Sequence, residues 1–234
     1  MTPEERFAGT RERLASIAGR VSPLALACSF GAEDMVLLDM VADLGLPIEV
    51  FSLDTGRLPA ETYELMQTVR ERYPAVTVRY YYPDAAALGA WVTEHGVNAF
   101  YLSIDHRKSC CAIRKLEPLE RALAGKAGWI TGLRREQSPT RQGVPEEETD
   151  AGHGLLKFNP LADWSEAEVW TYVKTRDVPF NALHERHYPS IGCAPCTRAI
   201  AVGEDIRAGR WWWENPETRE CGLHPARAVR NGRK

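Results

Sequence analysis

The sequence predicts an α/β protein: a mostly parallel, twisted sheet with helices on both faces, followed by a C-terminal tail. Three observations predict it. Strand-like apolar runs alternate with helical patterns along most of the chain, as strand–helix–strand units do. The polar turns "SFGAED", "LDTG" and "TGLRREQS" each fall at the end of such a run, and ligands of parallel sheets bind outside the carboxyl ends of the strands. The chain has 234 residues, 44% of them hydrophobic, which is enough for one large domain with a real core.

The elements follow in order. "MTPEERFAGTRERLASIAGR" reads as a charged amphipathic helix without the apolar stretch of a signal peptide. "LALAC" (24–28) is a short apolar strand leading into "SFGAED", and "MVLLDMVADLG" is a helix stopped by Gly45. "PIEVFSLDTG" is a strand closing in a polar turn. "LPAETYELMQTVRERY" is a helix with a proline near its start and Pro74 beyond its end. "AVTVRYYY" is strand-like, and "DAAALGAWVTEHG" is a helix with Asp84 as N-cap and Gly96 as stop. "CAIRKLEPLERALAG" is read as one helix despite Pro118, and "AGWITGL" as a strand. A polar loop (134–154) precedes a last strand, "LLKFNPL", and the helix "SEAEVWTYVKTR", where Ser165 and Glu168 form a capping box. From residue 204 the composition turns polar and arginine-rich. Residues 1–203 are therefore read as the domain, and 204–234 as a tail laid over it or partly mobile.

Charge and cysteines narrow the function. Lys and Arg number 29 against 32 Asp and Glu, a net charge of −3, so nothing global argues for nucleic acid or membrane. No apolar run approaches the roughly 18 residues of a spanning helix, and the expectation is a soluble, cytoplasmic protein. The six cysteines stand at 28, 110, 111, 193, 196 and 221. In a cytosolic chain they suit metal or redox chemistry better than a disulfide framework. "KSCC" and "GCAPC" supply Cys110, Cys111, Cys193 and Cys196, four thiolates able to hold tetrahedral zinc or an iron–sulfur cluster. The tandem pair is cramped for a zinc knuckle, which favours the cluster. Cys28, at the end of an apolar strand, is read as core. Cys221, in the polar "TRECGLH", is left over.

Basic residues gather at the same places. Lys115 lies one helical turn after Cys111 and shares its face. Arg134, Arg135 and Arg141 follow one strand end, and Arg207 and Arg210 open the tail; together they suit a dianionic phosphate or sulfate, although any one of them could belong to a solvated loop. Ser29, Gly31 and the first amides of the next helix could cradle an anion, yet no GK[ST] follows and the turn is no Walker A loop. Asp54 could accept from a sugar or base, or cap the next helix. The "WWW" at 211–213 could stack on a base, but ordinary burial that anchors the tail is the commoner use.

The motifs "SFGAEDMVLLDM", "LDTGRLPAETYEL", "CCAIRKLEPL", "TGLRREQSPTR", "FNPLADWSEAEVW", "HYPSIGCAPCTR" and "ECGLH", in that order over nearly the whole chain, resemble the assimilatory adenylylsulfate reductase family. The resemblance implies an adenine-nucleotide α-hydrolase-like fold related to the PP-loop ATP pyrophosphatases. "SFGAED" departs from their S-G-G-x-[DS] loop, with Phe30 in place of the first of the two glycines, which fits a substrate without pyrophosphate. The resemblance also implies a [4Fe-4S] cluster on Cys110, Cys111, Cys193 and Cys196. The substrate would be adenosine 5′-phosphosulfate (APS), bound by Ser29, Phe30, Gly31, Leu53, Asp54, Thr55, Lys115, Gly132, Arg134, Arg135, Arg141, Arg207, Arg210 and His224. Cys221 would be the nucleophile. It would take SO₃ from APS as an S-sulfocysteine and then meet thioredoxin through a transient mixed disulfide, Arg207, Arg210 and His224 favouring its thiolate.

Other readings stay open at this stage. The 3′-phosphorylated substrate PAPS, or both substrates, would use the same chemistry. A PP-loop ATP pyrophosphatase would want the intact loop and a basic RNA face, and a zinc-binding interaction module would leave Cys221 unexplained. A homo-oligomer is compatible with the sequence, which does not fix the assembly.

Overall fold

The structure, a computed structural model, describes residues 2–138 and 141–215. Helix α1 (Pro3–Arg20) starts at a capping box between Thr2 and Glu5, with proline in its first turn. Then come β1 (Leu24–Ala27), α2 (Ala32–Asp43), β2 (Glu49–Leu53), α3 (Ala60–Arg72), β3 (Val78–Tyr81) and α4 (Ala85–His95). Asp84 caps α4 by accepting from the Ala87 N–H at 2.8 Å. After α5 (Ile104–Cys111) and α6 (Glu117–Leu123) follow β4 (Gly128–Ile130), β5 (Glu147–Asp150), β6 (Leu155–Phe158) and α7 (Glu166–Thr175). Among the described residues no helix is long and apolar enough to cross a membrane.

The six strands are ordered β3-β2-β1-β4-β6-β5, and every neighbouring pair is parallel except β5 with β6. Strand order therefore runs outward one way from β1 and the other way from β4, so the switch point lies between them. The alternation of side chains along each strand divides the core. Leu24 and Leu26 face a large cluster with Leu14, Met35, Leu38, Val69, Trp164 and Tyr172, whereas Ala25 and Phe51 face a smaller one with Leu119, Leu123 and Trp129. Helices thus cover both faces. Helix α2 is buried along nearly its whole length, from Met35 to Val41, which places its N-terminus at the centre of the molecule.

Two segments differ from the sequence reading. The polar loop 134–154 contains β5, an antiparallel edge strand whose register pairs Glu148 with Lys157 and whose Glu148 carboxylate lies 3.3 Å from the Lys157 ammonium. A charged edge strand has no apolar alternation to detect. The helix expected to start at Cys111 starts at Ile104, where the Ser103 hydroxyl accepts from the His106 N–H. It then widens into a π-helical turn over Ala112–Leu116 before α6. Pro118 explains the widening: it has no N–H for the Arg114 carbonyl, and its ring crowds that turn. The stretch 204–215 leads back over the domain. Thr197 and Arg210 form an antiparallel bridge, and Trp211 and Glu214 are buried.

Candidate active site

The turns after β1 and β4 flank the switch point and line a cavity of about 270 Å³. Ser29 and Gly31 come from the first turn, Leu53 and Thr55 from the end of β2, and Gly132, Arg134 and Arg141 from the segment after β4. Lys115, Arg207 and Arg210 also line it, Lys115 on the wall shared with the cysteines. Of the residues expected to bind substrate, Phe30, Asp54 and Arg135 do not line it. Phe30 has φ of 62° and turns its ring into the core, 1% exposed; burial holds an aromatic residue in the left-handed region. Asp54 is taken up by the Gly56 N–H and the Tyr63 hydroxyl, at 2.8 and 2.9 Å, and Pro59 rather than Asp54 is the N-cap of α3. Arg135 donates to the Val144 carbonyl. Cys221 and His224 lie outside the described residues.

The two ends of the cavity differ in charge. At the N-terminus of α2 the Asp34 carboxylate accepts from the backbone N–H and the hydroxyl of Ser29, both at 2.6 Å, and from the Gly132 amide. Asp34 therefore ties the β1 turn to the β4 turn. Glu33 beside it takes Arg134 at 2.8 Å, and Glu136 takes the same guanidinium at 3.2 Å. A phosphate at this end would face two carboxylates, so the helix N-terminus does not serve as an anion cradle, and Arg134 is a neutralised structural cation. The end suits neutral hydrogen-bonding groups, such as those of a nucleoside. Lys115, Arg207 and Arg210 make the opposite end cationic. Arg210 lies 4.7 Å over the Trp211 ring, and its Nη1 donates to Ser190 Oγ and the Ile191 carbonyl, both at 3.3 Å, while its buried Nε–H has no partner among the described residues.

Burial pushes Asp34 up, the Ser29 hydrogen bonds and the Gly132 amide oppose it, and Glu33 adds to the rise; the result is about 6, against an ordinary 3.8. A carboxyl raised on folding binds its proton more tightly in the folded state. Its contribution to stability is therefore largest below about 4 and falls as pH rises towards 6. Asp34→Asn is expected to remove that part of the slope. Urea midpoints of both proteins at several pH values across this window check it; an unchanged difference between the two would show that Asp34 is not the source.

The cysteines form a second cavity against the first. Cys110 and Cys111 at the end of α5 and Cys193 and Cys196 line it with Arg57, Phe100, Arg107, Arg114, Lys115, Pro195 and Trp211. Lys115, Cys193 and Trp211 line both cavities. The Thr55 hydroxyl lies 3.2 Å from the Cys193 sulfur. Burial raises Cys193, but Lys115, the Thr55 hydrogen bond, Arg210 and Arg114 outweigh it and bring the thiol below its ordinary value. Cys196 is pushed to about 12 by burial and by the neighbouring Cys193 and Cys111. Burial also raises Cys110, against the pull of Arg114. Four cysteines on one small cavity, with Arg107, Arg114 and Lys115 around them, are a donor set that a metal–sulfur core would satisfy. Among the described residues, no group of three or more His, Cys, Asp or Glu side chains forms a ready-made metal-ion site. Cys28 is buried, with its thiol raised well above the ordinary value by burial and by Asp34.

Asp34, Glu33, Trp170 and His184 line the switch-point cavity as well, and the sequence reading does not assign them to the site. Asp34 ends the quoted turn "SFGAED", which was the available signal. His184 packs edge-on against Trp170 with ring centroids 5.2 Å apart, a contact that no spacing announces.

Comparison with known proteins agrees with this geometry. Residues 23–199 match the family model of the phosphoadenosine phosphosulfate reductase domain. An adenosine 5′-phosphosulfate reductase of Allochromatium vinosum is 55% identical over 219 residues, covering 94% of this chain and 85% of that one. Another, from Burkholderia cepacia, is 55% identical over 228 residues, 96% of this chain and 90% of its own. Among solved structures, phosphoadenylyl-sulfate reductase from Candida auris in a phosphate complex superposes with a TM-score of 0.71 at 27% identity, covering 82% of this chain and 90% of that one. With a family match over most of its length and relatives above half identity, the chain belongs to the phosphoadenosine phosphosulfate reductase domain family.

Proposed function

We propose that this protein reduces adenosine 5′-phosphosulfate to sulfite and AMP in sulfate assimilation, with thioredoxin as electron donor and Cys221 as nucleophile. The observation that carries the reading is the wall shared by two cavities: Lys115, Cys193 and Trp211 border both the switch-point crevice and the four-cysteine site. The relatives named above as adenosine 5′-phosphosulfate reductases support the substrate. Cysteines held as metal ligands and not in disulfides fit a reducing compartment, and we assign the cytoplasm.

The neutral end of the crevice, with Ser29, Gly31, Leu53 and Gly132, takes the adenosine. The cationic end, with Lys115, Arg207 and Arg210, takes the phosphosulfate. The Cys221 thiolate attacks the sulfate sulfur, the S–O bond to the phosphate breaks, and AMP leaves with the electron pair on its phosphate oxygen. Lys115 and the arginines stabilise that developing charge. One thioredoxin thiolate then attacks the Cys221 sulfur of the S-sulfocysteine and sulfite departs. The second thioredoxin thiol resolves the mixed disulfide, so the dithiol supplies both electrons. When bound to Cys110, Cys111, Cys193 and Cys196, a [4Fe-4S] cluster supplies fixed charge beside Lys115. His224 and Arg207 would favour the thiolate of Cys221.

Sulfite release from APS and from PAPS, each with thioredoxin present, tests the reading. APS is expected to be turned over with a kcat/KM at least about tenfold higher, a difference of about 1.4 kcal/mol in transition-state stabilisation. Equal rates, or a preference for PAPS, would overturn the substrate assignment.

A further inference from the structure

One buried charge pair is used by no step above. Arg107 projects from α5 and is 0% exposed. Its Nε and Nη2 donate to the two carboxylate oxygens of Glu214, each at 2.8 Å. The same guanidinium hydrogen-bonds the Cys111 side chain and lies 4.9 Å over the Trp211 ring. Arg210 stacks on Trp211 as well, at 4.7 Å. Trp211 has φ of 42°, a left-handed conformation that an indole adopts only when its surroundings hold it. Glu214 closes the turn by donating its N–H to the Trp211 carbonyl at 2.8 Å. Residues 211–215 are the root of the segment that goes on to Cys221.

Removing a fork–fork ion pair from water costs several kcal/mol per ion, and such a pair is held only where its geometry is fixed from both sides. Arg107 is fixed on one side by Glu214 and on the other by the sulfur of Cys111. Resting on the iron–sulfur reading of the four cysteines, we propose that Arg107 and Glu214 are positioning residues that couple occupancy of that site to the seating of residues 211–215. A metal-bound Cys111 sulfur has one position, and Arg107 is then presented to Glu214 in one rotamer. Without metal the Cys111 sulfur is no longer fixed by a metal–sulfur bond, the anchor it gives Arg107 weakens, and the seating of 211–215 weakens with it. By linkage the effect is reciprocal: a seated root favours the occupied site.

Backbone amide exchange of 211–215, read by mass spectrometry on the full-length protein, tests the coupling. Protein purified anaerobically is compared before and after removal of its iron with a chelator. Exchange at 211–215 is expected to quicken by about tenfold or more when the iron leaves, the usual range of a coupling between two sites. Glu214→Gln leaves Arg107 on Cys111 and removes only the carboxylate. In it, exchange is expected to be fast with iron bound and unchanged by its removal, while KM for APS stays and kcat falls. Should the buried arginine unfold that variant, the double replacement R107M/E214M keeps apolar packing in place of the pair; it too is expected to exchange equally with and without iron. An effect of iron that persists in these variants, or none in the unaltered protein, overturns the coupling and leaves the iron–sulfur reading intact. Protein that carries neither iron nor sulfide overturns both.

Discussion

Cys221→Ser will abolish sulfite release from APS while leaving iron content, cluster absorbance and AMP affinity unchanged. A hydroxyl is not deprotonated at neutral pH without a strong base, and the reaction proposed here depends on a sulfur nucleophile whose adduct a second thiol can cleave. Loss of a nucleophile typically costs about 10⁶ in kcat. The complementary measurement is made on the unaltered protein: incubation with APS and no thioredoxin should add one SO₃ group to a peptide containing Cys221. Turnover retained in the serine variant, or the adduct found on Cys28, would remove Cys221 from the mechanism. The second outcome is disfavoured by the position of Cys28, which is 2% exposed and whose thiol is raised well above its ordinary value by burial and Asp34.

How much of this was legible in the sequence depends on which physical signal each feature leaves. Strands β1, β2 and β4 are buried on both faces, so they read as apolar runs closed by polar turns, and their parallel pairing followed from the alternation with helices. Strand β5 left no such signal, because Glu147–Asp150 is a charged edge whose identity comes from pairing with β6. Helix α5 is polar and carries a buried arginine where a stripe of apolar residues would have marked it. The same limit applies in the crevice. Arg134 and Arg210 look alike as residues in arginine-rich stretches. One is neutralised by Glu33 and Glu136, and the other has a buried N–H without a partner among the described residues and acts on the charge of Cys193; only the fold brings those groups together. The cysteine pairs were legible because ligand spacing is local, whereas the wall they share with the crevice was not.

Gly132→Ala separates the crevice from the cysteine site. A methyl group at Gly132 would meet the Asp34 carboxylate, lie 2.9 Å from Glu33 Cβ and stand 3.2 Å from the Asp34 backbone N. Neither the carboxylate nor the α2 backbone can give way freely. Asp34 is held by two 2.6 Å bonds to Ser29, and α2 is packed along nearly its whole length. The strain therefore passes to the β1 turn, and both turns that receive the adenosine shift together; overpacking of this kind costs about 1–3 kcal/mol. Borne by the binding site, that cost lowers affinity for AMP and APS by about 10- to 100-fold. The four cysteines belong to α5 and to the segment 193–196, not to the Gly132 turn, so iron content should not change. Calorimetric titration with AMP beside iron analysis reads both quantities on one preparation. Unaltered AMP affinity would place the nucleotide elsewhere than the switch point. Loss of iron together with affinity would mean that the two cavities do not stand independently, and that Lys115, Cys193 and Trp211 join them more tightly than the geometry of either cavity alone requires.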